Sequence, residues 1–277
     1  MSPLEQIQQH LRTLRMPTAV EIVGDLLITA TRETWPLETF LSELLEQEVE
    51  GRSQRRVERL QKSSHLPAGK TLAAFDQKKL PLRLTRQLAQ LCSGEFVTRA
   101  ENLLIFGLPG VGKTHFAAAV GHQLVQAGHS VLFTPTFHLV NELLRAKRDL
   151  LLERELRRLD TYEVLILDDI GYVQQSRDEM EVLFTLLAER YERRSVVITS
   201  NLVFSQWEQI FKDPMTTAAA IDRVVHHSII VEFGKEIPSH RAQQAAQRIQ
   251  QGTPAALHTL PTLWALLIVA MSISNCH

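Results

Sequence analysis

The sequence predicts an α/β fold, a parallel sheet flanked by helices, with a small N-terminal helical domain ahead of it. Two observations carry this expectation. From residue 100 onward, short apolar runs alternate with helix-length amphipathic segments, the pattern of βαβ units whose strands are buried on both faces. Before residue 63 the apolar residues recur instead at helical spacing, which gives a strand no consistent buried face.

In chain order, Leu4, Ile7, Leu11 and Leu14 mark a first helix that stops before Pro17. Leu37, Phe40, Leu41, Leu44 and Leu45 fall at i, i+3, i+4, i+7 and i+8 and share one side of a helix opening at Pro36, where a missing amide costs nothing. Downstream of Gly51, the run RSQRRVERLQK sets Arg52, Arg55, Arg56 and Arg59 on a single helical stripe. Pro67, Gly69 and a linker-like stretch to about Pro81 follow, which puts a boundary near residues 63 to 75. The chain divides accordingly into a helical domain at 1–70, an α/β domain at 71–246 and a tail at 247–277. Five runs read as strands: Asn102 to Phe106, Ser130 to Phe133, Val164 to Leu167, Ser195 to Thr199 and Ser228 to Glu232.

With 277 residues, 44% hydrophobic and 22% charged, the chain can bury one substantial core and a smaller one, so it is not read as disordered. Cys92 and Cys276 stand far apart with no CxxC or Cys/His spacing, so a structural zinc site is not expected and a reducing cytosol is. The amino terminus has no secretory apolar core, and no apolar run before residue 259 is long enough to span a bilayer, so no membrane partner is expected. Net charge is −1, but residues 1 to 50 carry nine acidic side chains against three basic, while residues 52 to 86 carry ten basic against two acidic. Such asymmetry suggests a surface for an anionic polymer.

The chemistry is signalled by Gly107-Leu108-Pro109-Gly110-Val111-Gly112-Lys113-Thr114, with His115 next. The spacing GxxxxGK[ST] between a strand and a helix is that of a phosphate loop: glycines let successive amides turn toward the β-phosphate, and the helix adds its positive end. Lys113 then bridges the β and γ oxygens of ATP, and Thr114 ligates Mg2+. At Asp168-Asp169 an apolar run delivers two carboxylates at the carboxyl end of its strand. There Asp168 holds the magnesium through water and Asp169 orients the attacking water. The next strand ends in Thr199-Ser200-Asn201, a polar group placed to sense the γ-phosphate. Asp222-Arg223 lies before the last strand, where an arginine reaches a neighbouring subunit's nucleotide more readily than its own.

His226 and His227 read as packing or surface residues, because no third ligand lies at a metal-binding spacing in the sequence. The long connection His138 to Asp160 is mildly basic over an apolar helical stripe. A solvated helix face and a nucleic-acid contact both account for it; the expectation adopted is DNA contact through Arg145, Lys147 and Arg148 together with Arg52, Arg55, Arg56 and Arg59.

These residues resemble the IstB family, helper ATPases of insertion-sequence transposition and relatives of the helicase loader DnaC. The resemblance runs from about Val57 to about Ala246. It rests on KTLAAFD (Lys70 to Asp76), RAENLLIFGLPGVGKTH (Arg99 to His115), LILDDIGY (Leu165 to Tyr172), ERYERRSVVITSN (Glu189 to Asn201), FSQWEQIFKDP (Phe204 to Pro214) and AIDRVVHHS (Ala220 to Ser228). It implies a P-loop AAA+ ATPase, with the phosphate-loop lysine and threonine on Lys113 and Thr114, the carboxylates on Asp168 and Asp169, the sensor on Asn201 and the trans-acting arginine on Arg223. It further implies an ATP-dependent homo-oligomer that wraps duplex DNA and engages a transposase, partly through the amino-terminal domain.

Two departures stand out: Asp169 occupies a position where many AAA+ proteins carry glutamate, and Ser239-His240-Arg241 replaces a Ser-Tyr-Arg signature. Gln251 to His277 matches nothing in the family and is expected to be a divergent or readthrough tail. A helicase loader is the alternative built on the same core. A small-molecule kinase would need a substrate pocket and lid, and a scaffold that binds ATP without turnover would follow from the shorter Asp169.

Overall fold

The computed structural model describes residues 1–77, 80–170, 176–202, 224–234, 237 and 239. Arg223, the segment from Phe204 to Pro214, His240, Arg241 and the tail lie outside them.

Helix α1 (Pro3–Thr13) opens with a reciprocal cap, the Ser2 hydroxyl accepting from the Glu5 amide and the Glu5 carboxylate accepting from the Ser2 amide. Helix α2 (Pro17–Arg32) had no counterpart in the sequence reading, and α3 (Leu37–Ser63) is one helix running straight through Gly51. A Cβ at Gly51 would collide with the Thr18 side chain, so this glycine marks close helix packing and not a break. Leu11, Ala19, Val23 and Leu44 form the small core of this unit. The predicted stripe on α3 is only partly buried. Leu44 is covered and Phe40 half-covered, whereas Leu37, Leu41 and Leu45 are 84%, 54% and 45% exposed, because a unit of three helices with so small a core cannot bury every apolar face.

The division at residue 70 does not coincide with the packing. Val57 and Leu60 of α3, and Leu66 after it, pack into the core of the α/β domain, and the Phe133 amide donates to the Ser64 carbonyl at 2.8 Å. Helices α4 (Leu82–Cys92) and α5 (Glu95–Thr98) follow, and α4 buries Leu84, Leu88 and Leu91 in the same core.

Five strands form one parallel sheet: β1 (Asn102–Gly107), β2 (Val131–Pro135), β3 (Val164–Asp168), β4 (Ser195–Ser200) and β5 (Ser228–Phe233), ordered β2-β3-β4-β1-β5. All five predicted runs are strands. Successive residues serve opposite faces: Leu103 and Ile105 join the core under α4 and α6 (Lys113–Gln126), while Leu104 and Phe106 join the core under α7 (Thr136–Arg148), α8 (Leu152–Asp160) and α9 (Arg177–Arg190). Burial on both faces explains the unbroken apolar runs that made these strands readable.

At the amino-terminal edge of the sheet, Arg190 is 1% exposed and donates to the carbonyls of Leu159, Tyr162, Glu163 and Ser195 at 3.0 to 3.2 Å. Burial pushes its pKa down to about 9, yet the four carbonyls satisfy most of its donors and tie α8, β3 and β4 together.

Candidate functional site

The site grows from the carboxyl ends of the strands. Because β4 lies between β1 and β3, whatever follows β4 stands between the phosphate loop after β1 and the carboxylates after β3, the crevice in which open α/β sheets bind ligands.

Gly107 ends β1 where a Cβ would come within 2.6 Å of the Phe233 Cβ, so only glycine lets the loop leave the sheet here. Gly110 and Gly112 have φ of 83° and 103°, conformations that favour residues without a Cβ. Val111 is buried in the core and pins the loop from below. Leu108 is 52% exposed and Pro109 is exposed at the crest. Helix α6 starts at Lys113 with no side-chain cap, which leaves its first amides and positive end for an anion. The Lys113 ammonium donates to the Gly107 and Leu108 carbonyls at 2.7 and 2.9 Å, spanning the loop it would share with phosphate oxygens. Thr114 is half-buried one residue further on.

Asp168 and Asp169 are joined through Thr199. The Thr199 hydroxyl donates to Asp168 Oδ1 at 2.7 Å and accepts from the Asp169 amide at 2.8 Å, while Thr136 Oγ1 donates to the Asp168 carbonyl at 3.0 Å. Asp169 has φ of 59°, a left-handed conformation that costs a non-glycine residue about 1–3 kcal/mol and recurs at functional sites. Thr199 is 1% exposed, so its one hydroxyl fixes both the carboxylate and the unusual turn. Asn201 follows, and its Oδ1 is buried without a hydrogen-bond partner, an acceptor that needs a donor from outside the described residues. In sequence the Thr-Ser-Asn run points to Asn201, and Thr199 carries no signal beyond its place in that run.

A second contribution that was missed comes from the KTLAAFD segment. His115 Nε2 lies 3.0 Å from the Thr71 carbonyl, and its ring meets Phe75 edge-on at 4.8 Å. Phe75 also contacts Phe116, and its ring edge lies 3.7 Å from where a Gly112 Cβ would stand. Leu72, Ala73, Ala74, Phe75, Asp76 and Gln77 line a shallow, open depression of about 640 Å³ with both polar and apolar walls, and Phe75 connects it to the phosphate loop at Gly112.

The expected DNA-contacting cations are more engaged than their charge suggests. Arg52 donates to the Arg15 carbonyl, Arg55 to the Thr18 hydroxyl, and both pair with Glu48. Glu48 is 3% exposed. Burial opposes its charge, but the Ala19 amide and the two guanidiniums outweigh this and hold its carboxyl below the ordinary range. Arg56 donates to the Gly128 carbonyl and Arg59 to the Arg55 carbonyl. Lys147 bridges Asp178 and Glu181 of α9 at 3.6 and 2.9 Å. Arg145 and Arg148 are exposed in the last turn of α7.

A parallel sheet in this order, with a phosphate loop after β1 and linked carboxylates after β3, defines an ATPase of the P-loop AAA+ class. The sequence profile of IstB-like ATP binding proteins matches residues 9–248, and the chain belongs to that family. A Sinorhizobium fredii protein named for ATP binding in an insertion sequence is 43% identical, covering 94% of this chain and 87% of its own. A similarly named protein of insertion sequence IS21 from Pseudomonas aeruginosa is 41% identical, covering 84% and 88%. Among solved structures, DnaI has a TM-score of 0.52 at 21% identity, covering 62% of this chain and 96% of that one. Domain III of the Thermotoga maritima replication initiator DnaA has a TM-score of 0.53 at 16% identity, covering 72% and 79%. These two likenesses are of fold. The match from residue 9 also reaches further toward the amino terminus than the resemblance, which begins at about Val57. Among the described residues no helix is long and apolar enough to cross a membrane.

Proposed function

We propose that this ATPase hydrolyses ATP with magnesium, assembles through ATP as a homo-oligomer on duplex DNA, and engages the transposase of an insertion sequence. The observation that carries the reading is the Asp168–Thr199–Asp169 linkage set beside a phosphate loop in a chain of this family. Thr114 and Asp168 offer the hard oxygen donors that hold Mg2+, and the unpartnered Asn201 Oδ1 fits a site completed by a bound group. When bound, the ion neutralises charge on the β and γ oxygens.

This chain's residues do the rest. Lys113 exchanges its loop carbonyls for phosphate oxygens, and the amides that open α6 cradle the β-phosphate. Asp169 orients the attacking water, Asn201 contacts the γ-phosphate, and Arg223 reaches a neighbouring subunit's nucleotide, where it counters the charge that builds up on phosphoryl transfer. The adenosine occupies the depression lined by Leu72 to Gln77. For DNA, a groove of about 290 Å³ lined by Arg52, Arg55, Glu58, Arg59 and Lys62, together with Arg145 and Arg148, supplies cations for phosphate contacts.

The test is sedimentation and electron microscopy of the full chain with ATP, Mg2+ and a DNA duplex, wild type against Lys113→Ala. Nucleotide-dependent assemblies on DNA are expected for the wild type alone. Assembly by Lys113→Ala equal to wild type would overturn the reading. Affinity capture against a transposase and a replicative helicase separates the two partner readings, and capture of the helicase alone would make this a loader.

A further inference from the structure

We propose that Glu192, His226 and His227 form a binding site for a divalent transition metal, zinc being the ion its donors suit best, at the end of the sheet opposite the phosphate loop. In sequence the two histidines lacked a third ligand; the fold brings one from 35 residues away. Glu192 sits in the turn before β4 and the histidines in the turn before β5. Both strands flank β1 in parallel, so both turns open at the same, amino-terminal end of the sheet.

The geometry is close to what coordination needs. His227 Nε2 lies 3.1 Å from Glu192 Oε1, and the two imidazole rings touch edge-to-face with centroids 4.3 Å apart. One donor atom from each of the three residues lies within 4.8 Å of the others. Tetrahedral zinc, bound at about 2.0–2.2 Å, places its donors about 3.3 Å apart. The Glu192–His227 pair is already at that spacing, and His226 closes the remainder by a small rotation, which its exposure permits.

The backbones that carry these ligands are fixed. Asn102, 7% exposed at the start of β1, donates its amide to the His227 carbonyl at 2.7 Å and its side-chain amide to the Val224 carbonyl at 3.2 Å, and its Oδ1 accepts from the Val196 amide at 2.9 Å. Asn102 thus ties the start of β4 and the segment that ends at His227 to the same strand. The Tyr191 hydroxyl lies 3.2 Å from His226 Nδ1, the outer-shell contact that orients a ligating imidazole and leaves its other nitrogen for the metal. Two imidazoles and a carboxylate select zinc or a neighbouring transition ion over magnesium or calcium, and three protein ligands leave a fourth position for water.

The test is Zn2+ titration of the tag-free full chain against a chromophoric chelator, without nucleotide, with Co2+ spectra to reveal whether thiolates ligate. One equivalent bound through nitrogen and oxygen donors is expected. His227→Gln and Glu192→Gln should each weaken zinc by more than tenfold, and Tyr191→Phe by about tenfold. Glu192 and His227 are exposed and Tyr191 half-buried, and circular dichroism checks that each variant keeps the fold. Asp168→Asn serves as the control for zinc drawn to the nucleotide site and should leave the equivalent in place. Wild-type binding no tighter than His226→Gln/His227→Gln, thiolate bands in the cobalt spectrum, or loss of the equivalent in Asp168→Asn would each overturn the proposal.

Discussion

Replacing Thr199 with valine removes one hydroxyl from a space it fills almost completely, so the shape of the core is kept while two hydrogen bonds go. The Asp169 amide loses its acceptor and Asp168 loses a donor at 2.7 Å. An orphaned buried amide costs about 1–3 kcal/mol, and a bond to a charged acceptor contributes about as much. Part of that loss falls on folding. The rest falls on catalysis, because Asp169 at φ 59° loses the hydroxyl that holds its amide and relaxes more readily toward ordinary backbone. A drift of the carboxylate amounting to about 1.4–2.8 kcal/mol of barrier is a tenfold to hundredfold loss of kcat. The phosphate loop is untouched, so ATP affinity should hold. Steady-state phosphate release, fluorescent-nucleotide binding and thermal melting measured on one preparation separate these effects, and Thr199→Ser should recover most of the rate. If Thr199→Val keeps full kcat while remaining folded, or if serine is as impaired as valine, the hydroxyl linkage has no catalytic role.

Further predictions concern stability. Glu48→Gln should destabilise the chain by about 1–3 kcal/mol at neutral pH, since the Ala19 amide and two guanidiniums lose their charged acceptor. The Glu48 native pKa is lowered from 4.5, so its contribution is present above that pH and is lost as pH falls through the lowered native value; thermal melts of the two proteins should converge in acid, and a gap that stays constant would refute the linkage. Arg190→Leu should cost about 1–3 kcal/mol by taking a donor from four carbonyls, of which Leu159 and Glu163 keep the Tyr162 and Ser195 amides, read as a lower midpoint in urea; a change of a few tenths would show that the other carbonyls find new partners.

Legibility followed physical rule. The strands could be read because a sheet covered on both faces leaves nearly continuous apolar runs, and the phosphate loop because its spacing is set by backbone geometry within eight residues. What escaped was set between elements. Thr199 joins Asp168 to Asp169 only because β4 lies beside β3, and strand order is not written in local periodicity. Arg52 and Arg55 looked like a bare cationic stripe because their partners, the carbonyl of Arg15 and the hydroxyl of Thr18, sit across a helix packing that the sequence reading had not placed. Glycine weakens an isolated helix, and only the packing shows that Gly51 lets α2 and α3 touch. Glu192 joins the two histidines for the same reason that Thr199 was missed, since adjacency across a sheet brings together residues that sequence spacing keeps apart.

The unbroken α3 has a mechanical consequence. Its 27 residues span about 40 Å at the α-helical rise, rooted at one end in the ATPase core by Val57 and Leu60 and at the other in the small helical unit by Leu44. The join between the two units is therefore a stiff rod and not a tether. A tilt of about 5° about Val57 displaces Leu44, about 20 Å away along the helix, by about 1.7 Å, so nucleotide-driven adjustments around the sheet would be carried to the amino-terminal helices as movement of a lever.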